Sequence, residues 1–135
     1  MQATIPCEKL TDAAVASMIA AASQMGQPQC IVIVDPSAVE LASFRMVGAR
    51  VLSMRSARAK AQTAASIGKP SASLPEAVRL TVAAATEGTM TGLPGGLPIW
   101  LNGQLLGGIG VGSGSGDQDT AVARAALAAI GADPF

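Results

Sequence analysis

The stretch LLGGIGVGSGSGDQD, residues 105–119, carries glycine at every second position from Gly108 to Gly116. Alternate residues of an extended chain share a face, so this segment would present one side with no side chains at all. Something must come close to that bare backbone: a helix, a flat ligand or an anionic group. Strand glycines mark close approach of either kind. For Gly108 and Gly110 the plainest expectation is packing by the helix that follows, whose Ala121, Ala125, Ala128 and Ala129 form a small-residue surface. From Gly112 to Gly116 two readings stay open. The segment leads into a helix N-terminus, whose free N–H groups and dipole can hold an anion. Alternatively, Ser115, Asp117 and Asp119 already satisfy those donors. The run holds no GxGxxG, leaves no room for a βαβ unit, and is not followed by Gly-Lys-Ser/Thr, which excludes the dinucleotide and P-loop readings.

The rest of the chain supplies partners for such a strand. Thr11 can cap a helix over about 12–25, with Val15, Met18, Ile19 and Ala22 at helical spacing and Gly26 and Pro28 beyond it. CIVIVD (30–35) reads as a buried strand and VELASFRM (39–46) as the second strand of a hairpin across Asp35-Pro36-Ser37. Residues 52–68 read as a helix closed by Gly68 and Pro70, and 74–85 as a shorter helix with Pro75 in its first turn. Asn102-Gly103 between two extended runs predicts a second hairpin. Ser115 and Gln118 have capping-box spacing ahead of a last helix that runs to about Ile130. Hairpins without crossovers imply an antiparallel sheet with helices packed on it, an α+β domain spanning residues 1–135.

Half of the residues are hydrophobic, yet only Phe44, Trp100 and Phe135 are aromatic, so the core must be aliphatic and alanine-rich. Charged residues make up 13%, against roughly 25% in soluble domains. That scarcity predicts surface hidden against further copies, a homo-oligomer. Zero net charge and no basic cluster interleaved with aromatics argue against nucleic acid. No apolar stretch approaches the ~20 residues of a membrane span, and no export pattern opens the chain, so no membrane and a cytoplasmic location are expected. Cys7 and Cys30 have no metal-ligand spacing, so no metal site is expected. There is no histidine. Acid–base chemistry near neutral pH would have to use lysine, a carboxylate or a thiol.

Five of the nine basic residues fall between Arg45 and Lys60, with no acidic residue among them. Arg55 and Arg58 point away from the stripe Ala57, Ala61, Ala64, Ala65, Gly68 and read as surface or subunit contacts. Lys60 sits at the edge of that stripe, where it must snorkel, pair with a carboxylate or line a cavity. Arg45 ends a strand before Gly48. Lys60 and Arg45 are therefore the candidates for holding an anionic ligand, against a structural ion pair with Asp35, Glu87 or Asp117.

Four segments carry a resemblance: VDPSAVELASFRMVGA (34–49), RAKAQTAASIGKP (58–70), LPGGLPIWLNGQLLGGIGVGSGSGDQD (93–119) and ARAALAAIGA (123–132). Over about residues 9–131 the chain resembles the GlcG/HbpS-like family, which includes the C-terminal domain of PduO-type proteins. The most specific parts are Lys60-Ala61-x-Thr63-Ala64-Ala65 and the block from Pro94 to Asp119, and Gly95, Gly96, Gly103, Gly108 and Gly110 match the family pattern by position. The resemblance implies a profilin-like antiparallel sheet flanked by helices, assembled into homo-oligomers, with haem as a cofactor in some members. Some haem-binding relatives supply an iron ligand from a histidine near the first helix. Here Cys7, Met18 or Met25 would have to take its place.

Two functions follow. In the first, the chain is a small enzyme of carboxylic or aromatic acid catabolism, performing proton transfer, isomerisation or hydrolysis on an anionic substrate. Arg45 then clamps the carboxylate, Lys60 is the general base or electrophile, and Glu87, Asp117 or Asp119 relays protons. Backbone N–H groups at Gly95 and Gly96 stabilise an oxyanion, and Gly112 and Gly114 border the ligand. The missing histidine favours this reading. The alternative is an accessory protein that binds haem or another tetrapyrrole without catalysis, with Arg45 or Lys60 on its carboxylates and the glycine-rich backbone against its flat face.

Overall fold

The computed structural model of the chain describes residues 9–135. Its elements are α1 (Asp12–Ser23), β1 (Cys30–Val34), β2 (Glu40–Arg45), α2 (Ser53–Ile67), α3 (Arg79–Ala85), β3 (Gly96–Leu101), β4 (Gln104–Gly112) and α4 (Gly116–Ala129). All strand pairs are antiparallel and the order is β2-β1-β4-β3. The α+β architecture expected from the hairpin signals is the one observed. The expected helix over 74–85 is shorter. Pro75 opens a single 3₁₀ turn, Glu76–Val78, and α3 begins only at Arg79. A further 3₁₀ turn at Ser71–Ser73 went unforeseen.

Local chemistry explains the boundaries. Thr11 Oγ1 accepts from Ala14 N–H at 3.0 Å and starts α1. Gly68 adopts φ 67°, ψ 20° and closes α2, where a side chain would be strained. Its carbonyl receives Trp100 Nε1–H at 2.9 Å, which ties the helix end to β3. Ser115 and Gln118 form the reciprocal capping box at α4.

Helices cover both sides of the sheet. On one side, Ile31, Ile33, Leu97, Ile99, Ile109 and Val111 pack against Val15, Met18 and Ala22 of α1 and against Val122, Ala123, Ala126 and Leu127 of α4. On the other side, Cys30, Val32 and Val34 meet Ala57, Ala61 and Ala65 of α2. The register puts Gly108, Gly110 and Gly112 opposite Val34, Val32 and Cys30, so the bare side of β4 belongs to this second face.

The helix that uses the glycines is therefore α2, not the α4 expected from sequence adjacency. A Cβ on Gly110 would strike the Ala57 carbonyl oxygen, one on Gly108 would lie 2.5 Å from Ala61 O, and one on Gly112 2.8 Å from Ser53 O. The contact is backbone on backbone. No flat ligand can share that face, which corrects the expectation that a tetrapyrrole would lie against the glycine run.

Candidate functional site

Where α2 runs past the end of β4, a polar cleft of about 220 Å³ opens, bordered by Arg50, Ser53, Lys60, Pro94, Ser113 and Asp119. Its floor is a buried ion pair. Lys60 Nζ lies 3.0 Å from Asp119 Oδ2, with the two side chains only 6% and 3% exposed. Lys60 Nζ also donates to Val111 O at 2.8 Å. Asp119 Oδ1 accepts from Gly114 N–H at 3.0 Å. The Gln29 amide, oriented with its nitrogen toward the acceptors it faces, donates to the same oxygen at 2.9 Å and to Gly112 O. A charge pair taken out of water survives only when such bonds satisfy its remaining valences. Gly95, at φ 118°, closes over the pair, and a Cβ there would lie 2.7 Å from Val111 O and 3.2 Å from Lys60 Nζ.

Among the sequence candidates, Lys60 is brought to the cleft, but its carboxylate partner is Asp119 rather than Asp35, Glu87 or Asp117. Asp117 is exposed one position into α4, and Glu87 is exposed past the end of α3 at φ 54°; neither borders the cleft. Arg45 shares the α2 side of the sheet, opposite Cys30. Its Nη1 donates to Ala49 O at 2.9 Å, and Arg50, not Arg45, reaches the cleft. The Gly96 N–H is committed to Ser71 Oγ at 3.0 Å, so Gly95 and Gly96 offer no paired oxyanion donors. Gly114 borders the cleft with its N–H on Asp119, while Gly112 lies under α2. For Gly114 and Gln118 the donors are thus already satisfied, by Asp119 and Ser115.

Of the sulfur atoms considered for iron, Met18 is fully buried in the aliphatic core, Met25 is exposed beyond α1, and Cys7 lies outside the described residues. Burial raises the Cys30 thiol above its ordinary pKa, with Arg45 the main opposing influence. That environment keeps it protonated and inert. Among the described residues no cluster of histidine, cysteine, aspartate and glutamate could hold a metal ion, and no helix is long and apolar enough to cross a membrane.

The sequence marks Asp119 as an acceptor for the N–H groups leading into α4, which it is for Gly114, and as one of several proton relays, but not as the partner of Lys60. The stronger signal for Asp119 lies in Val122, Ala123 and Ala126, three, four and seven residues on, which mark its side of α4 as the buried one.

A second concavity lies on the opposite side of the sheet. Here α1 overhangs the edge strand β2 and leaves a groove of about 540 Å³, lined by Val15, Ala16, Ile19, Leu41 and Phe44 with Asp12 at its rim. No sequence signal singled it out. It arises because β2 is the sheet edge and its Leu41 and Phe44 stay nearly half exposed instead of being covered by a helix.

The comparisons with known proteins agree on the fold. The chain is similar to a PduOC–haem complex, with TM-score 0.86, 28% identity, and 95% of this chain and 99% of that one covered. It is also similar to a double mutant of HbpS from Streptomyces reticuli, with TM-score 0.80, 30% identity, and 94% and 90% covered. In sequence it is 34% identical over 114 residues to the corrinoid adenosyltransferase PduO of Citrobacter freundii, which covers 81% of this chain and 34% of that protein. The PduO of Salmonella typhimurium gives 33% over the same length, so the chain spans about a third of the curated relatives it matches. The model of the family described as haem-degrading protein HbpS-like matches residues 8–128, and the chain belongs to that family.

Proposed function

We propose that this chain is a tetrapyrrole-binding domain, with haem as the ligand to test first, seated in the groove between α1 and β2. One observation carries the reading. That groove is apolar and, at about 540 Å³, falls inside the roughly 300–1,000 Å³ range of small-molecule sites, whereas the cleft at Lys60, about 220 Å³, falls below it. The family and the likeness to a haem complex support haem as the ligand. The reading of a carboxylic-acid enzyme finds no such support in the relatives.

The groove fits the macrocycle better than it fits the metal. Val15, Ile19 and Leu41 would meet its apolar faces and Phe44 would offer a ring edge. Lys9, in the hollow next to the groove that also involves Leu10 and Leu41, would pair with a propionate. None of the residues lining the groove is a histidine, cysteine or methionine, so none offers iron a nitrogen or sulfur ligand. Haem would bring a redox-active iron; the chain's own residues would clamp and shield the ring. The exposed Val47, Val51 and Leu52 are in keeping with self-association of a domain this poor in charge.

Titration with hemin should give a saturable Soret shift at one equivalent per subunit. Ala16→Glu, at an exposed position on the groove wall, should abolish it, and Arg50→Ala, on the far side of the sheet, should leave it unchanged. Because the groove supplies no iron ligand, metal-free protoporphyrin should bind within about threefold of hemin. Absence of saturation, or full binding by Ala16→Glu, overturns the assignment.

A further inference from the structure

The buried pair at Lys60 has no part in a groove on the other face, and its hydrogen bonding is incomplete. An ammonium carries three donors. Lys60 uses one on Val111 O and one on Asp119 Oδ2, and the third meets no acceptor among the described residues. A buried donor left unmade is costly enough to call for an occupant. The Arg50 guanidinium at the mouth likewise has no hydrogen bond or ion pair among the described residues; only its backbone is engaged, its N–H donating to Ser113 Oγ at 3.1 Å and its carbonyl accepting from Ser53 N–H and Cys30 Sγ. Ser113 accepts that bond and keeps its own hydroxyl proton to donate. It does so from φ 83°, a strained conformation for serine, which the loop holds beside the cleft.

We propose that this cleft is a binding site for a short-chain monocarboxylate, received by the Arg50 guanidinium and the spare Lys60 donor. Charge selects the class. Lys60 and Asp119 cancel, which leaves Arg50 as the net single positive charge of the lining, a match for one negative charge. A carboxylate also matches the planar fork of arginine. Size selects the chain length. The cleft is small, and Leu93 and Pro94 give it one apolar wall, room for a few carbons behind the carboxylate.

The site is independent of the groove, and the test keeps the two apart. Butyrate and inorganic phosphate are titrated separately into the full chain at fixed ionic strength, following the amide resonances of Ser113, Gly114 and Gly116. Butyrate should give saturable shifts. Arg50→Ala, an exposed position whose side chain holds nothing in place, should weaken binding by about tenfold or more, and Arg50→Lys should restore part of it. Ala16→Glu should bind butyrate as the parent does, whatever happens to hemin. Phosphate bound more tightly than butyrate overturns the carboxylate assignment. Absence of saturation, or an Arg50→Ala variant that binds as the parent does, overturns the site.

Discussion

The two faces of the sheet share β1 and β4 and solve opposite packing problems. Toward α1 and α4 the strands present isoleucine, valine and leucine, and the helices rest on side chains. Toward α2, β4 presents glycine and the helix rests there on main chain, beside Cys30, Val32 and Val34 of β1. The first arrangement leaves space where α1 overhangs the edge strand β2 without filling the gap, and that space is mainly apolar because the layer is. The second leaves no space under the helix at all. A polar cleft opens instead at the end of β4, where loops and helix termini bring polar groups together. The chemistry each side can offer follows from the thickness of the layer beneath it.

The strongest challenge to this contrast is Lys60→Met. Removing one partner strands Asp119 in a buried position, and the expected loss is about 3–5 kcal/mol by chemical denaturation, with much of it recovered in the Lys60→Met/Asp119→Leu double variant. A loss near zero would mean that water already reaches the pair. Next in size is Gly110→Ala, where the added methyl runs into the backbone of α2, at a cost of about 2–3 kcal/mol. Gly103→Ala, in the β3–β4 turn with nothing within 4 Å of the new methyl, should cost only about 1 kcal/mol for its φ of 75°. Equal losses at the two glycines would refute the close approach of α2. On the aliphatic side, Ile109→Val removes one methylene from a buried contact and should cost about 1 kcal/mol. The smallest effect concerns Cys30. Because burial raises its folded pKa above the ordinary value of 9.0, the folded state favours the neutral thiol. Its contribution is complete below the unfolded pKa and is lost as pH rises past it, so stability should fall above about pH 9. In a Cys7→Ser background, Cys30→Ala should flatten that decline.

Much of the fold was legible because its signals are local. The Thr11 cap, the Asn102-Gly103 turn, Gly68 and the Ser115–Gln118 box each act within a few residues. The glycine run correctly announced a close backbone approach, but alternation tells which residues share a face and not which way that face points. The complementary stripe Ala57, Ala61, Ala65 was visible in the sequence, and only the tertiary arrangement joins it to β4. For the same reason Lys60 stood out while Asp119 did not: a lysine among alanines is conspicuous, and a carboxylate near a helix start has an ordinary role there. The α1–β2 groove was not legible, since a gap left by packing has no motif.

The glycine contact also limits how such a domain can change. Any side chain gained at Gly108 or Gly110 meets the carbonyls of α2, and nothing compressible lies between to absorb it. Drift on this side must therefore be concerted, with the helix retreating in the same step that the strand thickens, whereas the opposite side can trade one aliphatic residue for another singly. Within lineages that keep this architecture, the alanine–glycine seam should be slower to vary than the aliphatic layer on the opposite side.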